Sequence, residues 1–302
     1  MIKKGLIILS ASLFFPAASD AKASIQKHLP ISLYGIEESP NTPKLPAWGE
    51  KNIELINEHA INPSERYLRV HIPAGSANPG SSPPLPLGGA QFYYPITPTN
   101  KPIRLSYFIR FPEHFPFDTL RQNKPYTLGK LPGLYGGIGN TGNNTPDGTD
   151  GWSTRFMWCD YIESRKKKVR AGGEVLLFTY GSDQGTYGHP YGTHIGCSNW
   201  TFANDNQWHN LQQTIHLNTP GVANGRLEVC YDGQLVLTQN NIIFRTTPDL
   251  KINGIIFQTF FGGSGPEYSA PVDTYIDFAN FSIYVENKIP EGCTKMTNKP
   301  LK

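Results

Sequence analysis

Three residues of this chain have the types and spacing to handle an acidic sugar. Lys130 stands in Leu128-Gly129-Lys130-Leu131-Pro132-Gly133-Leu134-Tyr135-Gly136-Gly137, a segment punctuated by glycine and proline. Ser153 and Arg155 follow in Gly151-Trp152-Ser153-Thr154-Arg155-Phe156-Met157-Trp158. They are two apart, so in a strand their side chains share a face. An arginine fork binds a carboxylate through two parallel hydrogen bonds. A lysine either neutralises charge or, once desolvated, serves as a base.

Those residues need strands to position them, and the composition supplies strand and turn formers. Gly 30, Pro 26, Tyr 15 and Phe 16 favour strands and turns over helices. Tyr67 to Ile72 alternates, with Leu68, Val70 and Ile72 on one face and Tyr67, Arg69 and His71 on the other. Ile103 to Phe111 alternates likewise, with Arg104, Ser106, Phe108 and Arg110 opposite the apolar set. Further strands are expected over 153–159, 174–180, 208–217, 225–231, 234–238, 255–261 and 275–285. Asp232-Gly233 marks a two-residue hairpin turn. Residues 51–61 are expected to form a short helix, and the basic run 165–170 a hairpin loop. Many short strands with frequent turn signals predict an all-β sandwich or jelly roll, two antiparallel sheets with one broad concave face.

The two ends of the chain and its cysteines suggest export. Lys3 and Lys4, an apolar stretch over 5–15 and Ala21-Lys22-Ala23 predict a signal peptide over residues 1–23. A lead-in is expected over 24–60, the main domain over 61–290 and a tail over 291–302. Without residues 1–23 the chain keeps 24 basic and 23 acidic groups, so bulk charge gives no case for nucleic acid. Cys159, Cys197, Cys230 and Cys293 form an even set that allows three disulfide pairings. We favour Cys159–Cys197, which braces the segment between them, with Cys230–Cys293 as the second pair. CxxC spacing is absent, and no metal or other cofactor is expected.

Several segments, taken in order, resemble the family-14 polysaccharide lyases, which include alginate and glucuronate lyases. They are residues 69–75 with Pro73-Ala74-Gly75-Ser76, Gly88-Gly89-Ala90-Gln91-Phe92-Tyr93, Gly129 to Leu134, and Gly151 to Trp158. The series continues through Leu217-Asn218-Thr219-Pro220-Gly221 with Asn224-Gly225, Tyr231-Asp232-Gly233, and Phe260-Phe261-Gly262-Gly263-Ser264. The resemblance implies a β-jelly roll and eliminative cleavage of a uronate polysaccharide. It matches Lys130 to an essential lysine, and Ser153 and Arg155 to a serine and an arginine that hold the sugar. With the signal peptide removed, the mature protein is expected to be secreted, monomeric and off the membrane, with an acidic polysaccharide as its partner.

Uronate elimination needs a base for the carbon-5 proton, groups that stabilise charge on the carboxylate, and an acid for the leaving oxygen on carbon 4. The family carries two tyrosines spaced by two on the strand after the serine–arginine strand. Here that strand reads Glu174-Val175-Leu176-Leu177-Phe178-Thr179-Tyr180. Tyr180 matches one of these acid–base tyrosines and by resemblance is catalytic together with Lys130; its partner position holds Phe178, which cannot transfer a proton. A shorter gap in the alignment sets Leu176 and Phe178 at the two positions instead. Candidates to complete the site are Tyr187, His189, Tyr191 and His194, and Phe178 offers a ring for stacking on a sugar. A non-catalytic carbohydrate-binding jelly roll is the alternative. Asp147 and Asp150 lack an EF-hand pattern, and Asp273 and Asp277 read as surface or turn acids rather than a glycosidase pair.

Overall fold

The computed structural model describes residues 25–28, 47–58, 66–79, 84–117, 120–121, 124–125, 128–142, 144–163, 168–181, 192–262, 265–287, 289 and 292–293. The strands, in chain order, are β1 (Ile25–His28), β2 (Ile53–Ile56), β3 (Tyr67–Ile72), β4 (Ala90–Thr99) and β5 (Ile103–Arg110). Next come β6 (Leu120–Arg121), β7 (Lys124–Pro125), β8 (Gly129–Gly137), β9 (Gly151–Glu163), β10 (Lys168–Phe178) and β11 (Thr193–Ile195). The series ends with β12 (His209–His216), β13 (Gly225–Tyr231), β14 (Gln234–Ile242), β15 (Ile252–Phe261) and β16 (Thr274–Val285). Among the described residues there is no α-helix, and no helix is long and apolar enough to cross a membrane.

Two antiparallel sheets carry the fold. One runs β14-β13-β12-β5-β16-β3-β2, with β1 also paired to β16; the other runs β11-β10-β9-β8-β15-β4. The alternation read in the sequence sends one face of each sheet into a shared core. Leu68, Val70, Ile72, Leu105, Tyr107, Ile109, Leu211 and Phe278 come from the first sheet, and Leu131, Leu134, Trp152, Phe156, Trp158, Val175 and Phe257 from the second. Phe111, Phe115, Phe202 and Phe261 gather on one another and on Trp158 at 4.8 to 6.2 Å between ring centroids. Burying each of these rings contributes about 4–6 kcal/mol at 25 cal/mol per Å².

Three local expectations differ from the structure. Residues 50–52 make a single 3-10 turn and 53–56 form edge strand β2, not a helix. Ile53 and Leu55 alternate, and pairing with β3 outweighs local preference. The hairpin of β9 and β10 is longer than expected. Lys168, Val169 and Arg170 pair with Glu163, Ile162 and Tyr161, so the end of the basic run is strand; residues 164–167 lie outside the described residues. Asp277 is not a surface acid. It is fully buried on the outer side of β16, where Arg69 and Arg110 both donate to its carboxylate at 2.7 to 3.0 Å. Asp273 is exposed and accepts the amide of Ala74.

Both favoured disulfides are formed, Cys159–Cys197 and Cys230–Cys293. The first ties the residues after β11 to β9. The second draws residue 293 onto β13 beside Arg104, which donates to the Gly292 carbonyl. The Asp232-Gly233 turn connects β13 and β14, with both residues at positive φ.

Candidate active site

Lys130, Ser153 and Arg155 share one sheet and one face. Within β9, Trp152, Thr154, Phe156 and Trp158 point between the sheets, leaving Ser153, Arg155 and Met157 on the outer, concave side. Cross-strand register extends that face in rows. Tyr93, Ile256, Gly133, Arg155, Leu176 and His194 lie across six strands in one row. Phe260, Lys130, Met157 and Glu174 form the next.

Glycine makes the Lys130 segment possible. A side chain at Gly129 would strike the Trp158 ring, and one at Gly133 the backbone carbonyl of Thr154. Leu131 and Leu134 both face the core because β8 is bulged between residues 131 and 133. Tyr107 of the opposite sheet donates its hydroxyl to the Pro132 carbonyl at this bulge, at 3.1 Å. The lysine is therefore carried on a bulge anchored from below.

The Lys130 amine is half-buried and meets the Met157 sulfur at 2.9 Å. A thioether is a weak acceptor and replaces little of the lost hydration. Burial, followed by the Arg155 charge, brings the amine down from 10.5 to about 7; Glu174 pulls the other way.

Arg155 is 3% exposed. One Nη donates to Gln258 Oε1 at 2.6 Å, and Gln258 in turn donates to Gln91. The guanidinium lies over the Phe178 ring, 4.9 Å from its centroid. Among the described residues its Nε and the other Nη have no hydrogen-bond partner, and burial brings its pKa down to about 10. A buried cation with two unpaired donors carries an electrostatic cost that an anion would offset.

The other residues singled out in the sequence lie as follows. Ser153 has no exposure and donates to the Asn140 carbonyl at 2.5 Å. Phe178 is buried, so its ring supports Arg155 where stacking on a sugar was expected. Tyr180 lies two residues past the end of β10, in a turn, and is 44% exposed. Tyr187, His189 and Tyr191 lie outside the described residues. Glu174, 3% exposed, pairs with His194 Nδ1 at 2.7 Å. Sequence reasoning missed Gln91, Gln258, Met157 and Glu174. Their positions on the concave side of alternating strands were the available signal. It was weak because glutamine and methionine are ordinary strand residues.

The polysaccharide lyase 14 family model matches residues 60–281. The chain belongs to that family. Among solved structures it is similar to the marine PL-14 alginate lyase from Aplysia kurodai, at 28% identity over 80% of this chain and 89% of that one, TM-score 0.62. It also shares its fold with alginate lyase vAL-1 from Chlorella virus, at 21% identity over 78% of this chain and 89% of that one, TM-score 0.56. A curated relative, an exolysin of Paramecium bursaria Chlorella virus 1, is 32% identical over 79 residues. That match spans 26% of this chain and 12% of the relative's length.

Proposed function

We propose that this protein cleaves a uronate polysaccharide of the alginate or glucuronan type by β-elimination. The observation that carries the reading is Arg155, a buried guanidinium with two unused donors, beside a lysine whose amine is half neutral near pH 7. Arg155 takes the uronate carboxylate through those donors. As negative charge spreads onto that carboxylate in the transition state, the fixed cation stabilises it more strongly than the ground state. Lys130 removes the carbon-5 proton. Ser153 and the Asn140 carbonyl hold β9 against the neighbouring loop. Similarity to the Aplysia kurodai alginate lyase favours alginate as the substrate.

The two disulfides and the signal-like N-terminus support action in an oxidising compartment outside the cytosol.

The test is ultraviolet absorbance of the unsaturated uronate product during incubation with polymannuronate, polyguluronate and glucuronan. Wild type is expected to raise it with at least one polymer and Lys130→Ala with none. One observation favours a second reading, a binding protein without catalysis. Leu176 and Phe178, in register with Arg155 and Ser153, are buried and apolar where the family carries tyrosines on this strand. Retention of wild type in alginate affinity gels without product from any polymer would establish the second reading over the first.

A further inference from the structure

The elimination needs a proton for its leaving oxygen, and β10 presents no donor at the height of Arg155. Leu176 fills that position, with Phe178 next along the face, and both are buried. The row continues one strand further. Leu176 pairs with Arg155 on one side and with His194 of β11 on the other. Residues directly opposite in a ladder point the same way, so His194 shares the concave face with Arg155. Two strand spacings, about 10 Å, separate their backbones, a gap that one sugar ring and the two side chains can fill.

The imidazole is fixed from beneath. Its Nδ1 bonds the Glu174 carboxylate at 2.7 Å. Glu174 is almost fully buried, and its carboxylate lies within 4.8 Å of the Cys159 and Cys197 sulfurs. Those sulfurs are joined in the disulfide that ties the chain after β11 to β9. A buried carboxylate against sulfur and apolar surface requires a donor, which keeps the proton on Nδ1. Nε2 is the nitrogen left over, and it makes no hydrogen bond among the described residues; the His194 side chain is 42% exposed. The arrangement is a carboxylate-oriented imidazole at the open edge of the face that carries Lys130 and Arg155.

We propose that His194 is the general acid of the elimination and Glu174 its positioning residue; this rests on the lyase reading above. The Lys130 amine takes the carbon-5 proton. The electron pair of that C–H bond forms the C4=C5 double bond, and the C4–O bond breaks with its pair on oxygen. His194 acts as the imidazolium: its second proton, on Nε2, passes to that oxygen, and the proton on Nδ1 stays with Glu174. Each turnover leaves Lys130 protonated and His194 neutral, and exchange with water resets both. The site thereby restores, from the neighbouring strand, the proton transfer that Leu176 and Phe178 cannot perform.

The experiment compares wild type with His194→Ala, His194→Gln, Glu174→Gln, Tyr180→Phe and Lys130→Ala on the best polyuronate, with melting temperature recorded for each. The expected result is a kcat loss of about 10²-fold or more for both His194 variants, the usual size of a general acid's contribution, with KM little changed. Added imidazole restores part of the His194→Ala rate. Among the described residues the charged and titratable groups on this face besides His194 are Glu174 of β10, Arg155 of β9, Lys130 and Tyr135 of β8 and Tyr93 of β4. Against that background Glu174→Gln lowers kcat and leaves KM little changed, while Tyr180→Phe keeps most of the rate. His194→Gln that folds and retains kcat within about threefold overturns the proposal while leaving the lyase reading intact. So does loss of activity in Tyr180→Phe alone. Wild type without activity on any polyuronate overturns both.

Discussion

Replacing Arg155 with methionine should abolish activity and leave the fold as stable as before or more so. The fall of its pKa from 12.5 to about 10 corresponds to about 3 kcal/mol held against the buried charge. The sign follows from the order of the two values. Below pH 10 the group is charged in both folded and unfolded chains, so the cost is present in full at neutral pH. It fades only as pH rises from 10 toward 12.5. Methionine removes that cost and keeps a contact with the Phe178 ring. It also strips Gln258 Oε1 of its donor, which costs about 1–3 kcal/mol. The balance lies between no change and about 2 kcal/mol of added stability, as when buried ions are exchanged for apolar groups. Activity moves the other way. Two charge-assisted hydrogen bonds to a carboxylate contribute about 1.5–3 kcal/mol each, so kcat/KM should fall by about 10² to 10⁴. Urea unfolding measures the first effect and product absorbance the second. Unsaturated oligouronates should raise the wild-type melting temperature and leave that of the variant unchanged. A variant destabilised by about 3 kcal/mol or more, or one with kcat/KM within about threefold of wild type, would refute the reasoning.

Lys130→Arg separates base from cation. An arginine stays charged at every working pH, so it should be inactive; wild-type kcat/KM should show an acid limb falling tenfold per pH unit below about 6, as protons occupy an amine of pKa about 7. A rate that climbs steadily toward pH 10 would mean that the amine is not held near 7. Removing either disulfide with paired serines should cost about 2–5 kcal/mol in unfolding experiments. Activity per folded molecule should drop only for the Cys159/Cys197 pair, which holds β11 beside the site. Asp277→Asn should destabilise by about 3–5 kcal/mol, because Arg69 and Arg110 lose their shared carboxylate. Its kcat should match wild type, since the pair sits on the outer side of the other sheet.

The core was legible because its signal is local and repeated. Leu68, Val70 and Ile72, or Leu105, Tyr107 and Ile109, declare a period of two within six or seven residues, and the Asp232-Gly233 turn declares a hairpin within two. What failed were positions decided by distant partners. Asp277 looks like a polar residue at a strand edge until Arg69, 208 residues away, and Arg110, 167 residues away, fold over it. The 51–61 segment has nothing in its own composition that forbids a helix. β3, to which β2 pairs, decides the matter.

The site divides along the same line. Lys130 and Arg155 could be picked out because charge on a strand and glycine beside a lysine are visible in one dimension. The meaning of Phe178 was not visible, because it depends on what lies over its ring. As a sugar platform it would need an open face; under a guanidinium it completes the support of Arg155. That difference changes how the altered tyrosine positions are understood. A phenylalanine left behind by a decaying catalytic strand would not be expected to lie under Arg155, packed with Leu176 and Met157 in one apolar cluster. The cluster shields the Lys130 amine and the Arg155 guanidinium together, and burial is the largest cause of both lowered pKa values. Apolar residues on β10 therefore tune the charged half of the site. On the lyase reading the proton for the leaving oxygen then comes from outside that strand, and β11 is the strand next to it.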